Sequence, residues 1–444
     1  MKKIIYNYTC LFLFISPFFL WDVNILVIEN FNFYITARYL VLILLIPIIY
    51  SLFKKRNYFN ILTIFNNQKN ILYFYVFVLL HFFLTSIIYN QTLKFDNFFE
   101  FSFLFFFALI YCHYRNFLLI NFDKFIFLFF IIFICSSLYK EVGAFNTGSC
   151  QFIIYEHLED SFFSKFFKKI LNSTFSNGFY RENSHLAMTA VGVIISSIFT
   201  LIKSRFNNVI YLSLFIFVFF ILILNSSTTL FISYLVSQIV LIFFFNKKIP
   251  NIFWFYTLIL SVVFVSILLF KTDCKNKITH FNLQHIAEKK ILKRNSALKE
   301  PYKGKNLTTL IYERSIILSL DTFYQKPLGW GMNNMDNATA KLLNKYDNKN
   351  INTYAKLLNL KDGLGNLFKL ITEFGFFSFF IFYMFIKYMI NLKKINSYNL
   401  FIIVLFVTQC LRGAGYFNGG FVFCLFELFY FANERNQNKQ SPSK

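Results

Sequence analysis

The sequence predicts an all-α, polytopic integral membrane protein of about 12 transmembrane helices with one large loop on the outer side. Three observations carry this expectation. Of the 444 residues 57% are hydrophobic, 22% aromatic and only 15% charged, with mean hydropathy +0.53. A soluble globular chain is roughly 45–50% apolar and about 25% charged, so the polar surface a water-soluble particle needs is missing, and a disordered chain or an ordinary cytosolic enzyme is excluded. The apolar residues fall in a dozen runs without period-2 alternation, which favours helices over a membrane barrel. The third observation is a net charge of +23, from 44 Lys+Arg against 21 Asp+Glu, gathered between those runs.

Crossing a hydrocarbon core of about 30 Å takes roughly 17–25 helical residues. The first run, Ile4 to Leu20, follows Lys2 and Lys3 as a signal peptide would. No small-x-small cleavage pattern follows it, and Pro17, Trp21 and Asp22 fit poorly, so an uncleaved anchor is expected. Ile35 to Phe53 and Ile71 to Tyr89 are long enough to span, and Phe98 to Cys112 and Phe125 to Leu138 are shorter. Ser184 to Ile202 is a plain span, followed by Val209 to Leu224, Leu230 to Phe245 and the plain run Ile252 to Phe270. Leu370 to Ile386, Leu400 to Leu411 and Phe421 to Ala432 complete a single transmembrane domain covering residues 1–444. Buried helices of one soluble domain would not recur a dozen times between Lys-rich turns.

Alternating these spans from a cytoplasmic N-terminus puts 18 positive residues inside, among them Lys54, Lys55, Arg56, Arg115, Lys203, Lys393 and Lys394, and leaves essentially Lys94 and Arg412 in the short outer segments. The bias fixes the orientation, with both termini cytoplasmic. Two long outer loops remain. The first, 139–183, has five positive and five negative residues; the second, 271–366 between spans nine and ten, has 17 and 8, a net +9. Long loops translocate whatever their charge, so the second is either a Lys-rich solvated loop or a surface poised for an anionic, phosphate-class ligand. Nucleic acid fits poorly, because the basic residues are interleaved with spans.

Three segments carry candidate chemistry. In Gly178-Phe-Tyr-Arg181-Glu182-Asn183-Ser184-His185, Asn183 is a good N-cap for the next span. The helix N-terminus would point its free N–H groups outward beside Arg181 and His185, as a phosphate cradle or simply a polar flank. In the second segment Leu307, Leu310, Ile311 and Arg314 share one helical face, and the helix stops at Lys326-Pro327 before the turn Leu328-Gly329-Trp330-Gly331. The alternative there is a surface-lying helix with a snorkelling arginine. In the third, Arg412-Gly-Ala-Gly415-Tyr416-Phe-Asn-Gly419-Gly420 joins two short spans. Irregular backbone at membrane depth must line a cavity or the protein interior, and an arginine there is a functional candidate, unless the loop lies nearer water.

His81, Glu100 and Glu427 fall inside spans and read as structural, able to pair with one another. His280 and His285 lack metal-ligand spacing. Cys150 and Cys274 are the two cysteines of the long outer loops, and the sequence leaves open whether they form a disulfide. No phosphate-binding P-loop, nucleophile elbow or dinucleotide fingerprint sits in a strand–turn–helix context.

The order of these features resembles the O-antigen and exopolysaccharide polymerases of the Wzy type, within the polymerase–ligase superfamily. Arg181-Glu182-Asn183-Ser184-His185 is similar to that family's Arg-Glu-Pro-Ser-His signature, with Asn183 where proline is usual. Ser226-Ser-Thr-Thr229 looks like its Ser/Thr-rich helix start. Arg314 followed by Lys326-Pro327-Leu328-Gly329-Trp330-Gly331 is similar to its Arg, helix, Pro-Leu-Gly-x-Gly pattern, and Gly365-Asn366 through Glu373-Phe-Gly375 looks like the return of the large loop to the membrane. Ligase-like members often carry His beside that Asn and Arg after the Ser of the second motif. Gly365 and Ser227 stand there instead, which favours the polymerase over an O-antigen ligase.

The resemblance implies a membrane glycosyltransferase of the bacterial inner membrane, active in polysaccharide and lipopolysaccharide synthesis. It would move glycan from undecaprenyl pyrophosphate to a sugar hydroxyl of another lipid-linked repeat unit, with no metal or cofactor. Its implied partners are that lipid-linked oligosaccharide, the bilayer, and chain-length-regulator and flippase proteins. Arg181, Arg314 and Arg412 would meet the growing charge on the pyrophosphate. Glu182 or His185 would take the acceptor proton, and Lys326, Ser226 and Asn366 would bind substrate. A lipid-linked-oligosaccharide flippase or plain transporter shares the span count, though neither needs a 96-residue basic loop.

Overall fold

The computed structural model describes residues 2–18, 22–28, 31–54, 65, 68–90, 95–139, 145–147, 150–152, 183–204, 209–224, 228–269, 307–345 and 365–440. They are overwhelmingly helical. In chain order the helices are α1 (Lys2–Ile15), α2 (Leu45–Lys54), α3 (Lys69–Ile88), α4 (Phe95–Ile120), α5 (Phe122–Tyr139), α6 (Asn183–Lys203), α7 (Val209–Leu224), α8 (Thr228–Phe245) and α9 (Asn251–Leu269). Then follow α10 (Leu307–Gln325), α11 (Met335–Lys345), α12 (Asn366–Phe374), α13 (Ser378–Asn391), α14 (Ser397–Leu411) and α15 (Phe421–Gln440). Two short antiparallel hairpins interrupt the series, Asp22–Ile28 with Phe31–Thr36 and Phe145–Thr147 with Cys150–Phe152.

Several apolar runs become helices within a few residues of the expected ends: those opening at Ile71, Ser184, Val209, Leu230 and Ile252 are α3, α6, α7, α8 and α9. Ile35 to Phe53 departs from expectation. It divides into the end of a strand, a 3-10 helix over Ala37–Leu44, and α2. Pro47 lies in that run, and with no N–H to give it is accommodated in the first turn of a helix that restarts at Leu45.

Arg115 also departs, because α4 and α5 are separated only by Asn121 and leave no loop to hold it. It is buried in α4, and its Nε and Nη2 each donate to the Glu427 carboxylate at 2.7 Å. Tyr111 Oη donates to the same carboxylate at 2.6 Å, and Tyr430 lies under the guanidinium at 3.8 Å. A guanidinium at that depth is tolerable only with a well-formed partner. Glu427 therefore pairs with Arg115 and Glu100 with Arg38 at 3.5 Å, while His81 Nε2 bonds the Leu328 carbonyl at 2.7 Å. The three do not pair with one another.

The stretches Lys69–Ile88, Asn97–Ile120, Leu186–Lys203 and Asn366–Asn391 are long and apolar enough to cross a membrane. Their outward residues stay apolar: Leu80 is 65% and Ile87 75% exposed, and Phe243 on α8 reaches 81%. Such a belt is unfavourable in water and suits lipid.

At the centre lies α14, buried from Ser397 to Gln409, with the α15 stretch Phe421 to Tyr430 buried beside it. Helix α6 packs along α14, with Gly192 facing it. A Cβ at Gly192 would stand 3.1 Å from the Phe401 ring, and small residues of this kind let helix backbones approach closely. At one end of the bundle Thr200 bonds Ser397 at 2.7 Å and Asp123 at 3.4 Å, and Lys248 donates to the Leu392 carbonyl at 2.8 Å. Lys203, Lys393 and Lys394 belong to these same helix ends, so a basic rim forms there.

Candidate functional site: a glycine-bounded polar cluster

Opposite that rim, three sequence-distant segments meet. Helix α10 ends at Gln325, one residue before Lys326, where Pro327 can no longer supply the N–H a helix needs. The turn that follows docks on the end of α12: Trp330 N–H donates to Thr372 O at 3.0 Å, Gly331 N–H to Glu373 O at 2.8 Å, and Phe376 N–H to Pro327 O at 2.9 Å. Gly329 (φ 86°) and Gly375 (φ 53°) make this contact, each in the left-handed region. A Cβ on Gly329 would overlap the Glu373 carbonyl and one on Gly375 the Pro327 carbonyl, so both positions require glycine. His81 braces the turn through the Leu328 carbonyl, with its ring stacked on Phe374 at 5.0 Å.

The second segment is α12, whose Asn366, Lys369, Thr372 and Glu373 are all buried. Lys369 and Glu373 form an i,i+4 ion pair at 3.5 Å. Glu373 Oε1 also accepts the backbone N–H of Met335 at 3.3 Å, at the start of α11, where a carboxylate complements the helix dipole. Asn366 Nδ2 donates to the Gly415 carbonyl at 3.3 Å. Asn366 Oδ1 and Glu373 Oε2 have no hydrogen-bond partner among the described residues.

The third segment is the glycine-rich loop between α14 and α15. Arg412 closes α14 with its N–H on the Thr408 carbonyl at 2.8 Å, and its side chain is buried. Ala414, Tyr416 and Phe417 are buried too, so this irregular backbone lines the protein interior. Gln409 Nε2 ties the loop together by donating to Gly419 O at 3.0 Å. Gly413 lies so close to the Asn366 amide that a Cβ would overlap it. Tyr312 Oη, on α10, donates to the Leu411 carbonyl, joining the Arg314-bearing helix to the residue before Arg412. Burial raises the Tyr312 hydroxyl's pKa and the nearby positive charge of Arg412 opposes that rise.

Of the residues the sequence singles out, Asn366 and Arg412 are thus neighbours across this loop, and Arg314 is half-buried on the helix that packs against them. Lys326 sits at the far end of α10, about 18 Å along the axis from Arg314 at 1.5 Å per residue. It is buried, with its ammonium 3.6 Å from the Trp330 ring and 4.4 Å from Tyr89. His185 falls in the first turn of α6. Arg181, Glu182 and Ser226 lie outside the described residues, as does Cys274, so whether it bonds Cys150 stays open.

Lys369, Glu373 and Gln409 are functional candidates the motif reading left without a role. Their signal was available, since a Lys and a Glu four apart in an otherwise apolar helix have a reason to be there. The cluster offers fixed cations, a buried carboxylate and unsatisfied acceptors in a water-poor setting, where charge interactions are stronger than in bulk water. No protein-family model, curated protein or solved structure matches this chain.

Proposed function

We propose that this protein is a membrane-embedded glycosyltransferase of the polysaccharide-polymerase type. It would transfer glycan from undecaprenyl pyrophosphate to a sugar hydroxyl of another lipid-linked repeat unit at the outer face of a bacterial inner membrane. About twelve spans with both termini cytoplasmic belong to the same reading. The observation that carries it is the meeting of three motif segments at one buried loop: Asn366 against Gly413 and Gly415, and Tyr312 of the Arg314 helix against Leu411 beside Arg412.

The chemistry asks for such a place. As the sugar C1–O bond to the pyrophosphate breaks, negative charge grows on the leaving group, and pre-set guanidinium groups in a partly dry site stabilise it most. Arg412 and Arg314, with Arg181, fill that role, because guanidinium stays charged and matches phosphate oxygens in pairs. The acceptor hydroxyl gives its proton to Glu182 or His185. Glu373 is engaged with Lys369 and Met335, so it holds the α11–α12 junction.

The test is complementation of a host that lacks its own polymerase. Arg314→Ala and Arg412→Ala should each reduce long-chain polysaccharide by at least about 100-fold, the scale of removing one transition-state donor. Wild-type chain length from both variants sinks the proposal. The deletion phenotype separates the neighbouring readings: single repeat units capped onto lipid indicate a missing polymerase, and no surface glycan a missing ligase or flippase.

A further inference from the structure

Lys326 is 8% exposed and so is Trp330. A lysine this enclosed normally has a carboxylate beside it, since an isolated buried ammonium is costly. Among the described residues the Lys326 ammonium has neither an ion pair nor a hydrogen bond, its backbone alone being bonded, to Thr322 and Gly329; two aromatic rings hold the ammonium instead, Trp330 at 3.6 Å and Tyr89 at 4.4 Å. The neighbouring charge is a second cation. Lys341, exposed on α11, reaches over the same Trp330 ring at 5.7 Å. Desolvation first, and then Lys341, pull the Lys326 amino group down to about 8. Two cations thus converge on one indole where α3 has just ended, with Tyr89 as the first residue past its last turn. Trp, Tyr and Lys are the side chains that collect at the boundary between hydrocarbon and headgroups.

We propose that Lys326 and Lys341, set over Trp330 with Tyr89 alongside, form a binding site for a phosphate-class anion. The incoming charge supplies what the described residues do not: one counter-ion for both ammonium groups. Lys326 provides the enclosed, oriented contact and Lys341 the approach from solvent. The rings keep the buried ammonium in place when the site is empty, since cation–π contact partly substitutes for a lost partner. The site is about 18 Å along α10 from Arg314 and rests on the lysines alone, so it survives failure of the glycan-transfer reading.

The full chain in phosphatidylcholine nanodiscs, with Trp330 kept as its single tryptophan by Trp21→Phe and Trp254→Phe, gives a direct readout. Inorganic pyrophosphate is titrated against indole emission in one arm; in the other, farnesyl diphosphate is incorporated in the disc. Both arms are followed in parallel by unfolding temperature of the chain with all three tryptophans. Saturable binding is expected, weakened roughly 10- to 100-fold by Lys326→Gln, the scale of one charge-assisted contact, less by Lys341→Gln, and unchanged by Lys394→Gln on the exposed rim at the opposite end of the bundle. Tighter binding of farnesyl diphosphate than of inorganic pyrophosphate assigns the site to a lipid headgroup; equal binding assigns it to a free anion. Lys341→Gln changes an exposed side chain, so it tests the site even if Lys326→Gln accumulates poorly. Equal midpoints in wild type and both lysine variants, or no saturable signal in either arm, overturn the inference.

Discussion

At the scale of single residues, the buried charges make different demands. Glu373 and Lys369 satisfy each other at 3.5 Å with almost no solvent contact. Removing one partner from such a pair strands the other, typically at a cost of roughly 3–5 kcal/mol. Glu373→Gln is therefore expected to destabilise the detergent-solubilised protein by about 3 kcal/mol, and the double variant Glu373→Gln/Lys369→Met by much less, measured as a double-mutant cycle in denaturant unfolding. Additive losses would mean the pair is not coupled. Lys326 behaves in the opposite sense, because its amino group is held down at about 8 against an ordinary 10.5. Between those values the unfolded chain binds more protons than the folded one, so stability rises with pH across that window and its deficit is complete below about 8. The unfolding temperature should climb from pH 8 toward 10 more steeply in the wild type than in Lys326→Met, and parallel curves would contradict this origin.

At the scale of elements, the contact between the turn after α10 and the end of α12 depends on absent side chains. Gly375→Ala places a methyl group against the Pro327 carbonyl at a positive φ, which the backbone can relieve only by separating the two segments. A loss of at least about 2 kcal/mol is expected, read by unfolding, and under the proposed polymerase function lowered polymer output through displaced α12, read by glycan length. Gly192 is the corresponding point of the α6–α14 interface, and Gly192→Leu should separate those helices against the Phe401 ring. The helix over 307–325 was legible from its i, i+3, i+4 stripe, and its end from Pro327. That the turn beyond it would hydrogen-bond to residues 372–376 was not, because nothing local in either segment encodes the other. The division of Ile35 to Phe53 was missed for the converse reason. Hydropathy measures how apolar a run is, and backbone conformation within it is settled by Pro47 and by packing.

At the scale of the whole molecule, the basic rim around Lys203, Lys248, Lys393 and Lys394 and the glycine-bounded cluster occupy opposite ends of the bundle. With both termini cytoplasmic, as proposed, a membrane-impermeant thiol reagent applied to spheroplasts of a cysteine-free variant should label Lys341→Cys and spare Lys394→Cys, both exposed positions. The reverse pattern would invert the orientation and move the cluster to the cytoplasmic face. By itself the sequence determined that the protein is helical and apolar, where most of its helices run, and that charge collects between them, because those properties follow from residue type and short spacing. Only the tertiary structure decided that Arg115 serves Glu427 inside the bundle, that Asn366 and Arg412 meet across a buried glycine loop, and that Lys326 faces Lys341 over Trp330. Such pairings depend on distance through space between segments many residues apart, and burial is what makes each cation's choice of partner energetically decisive.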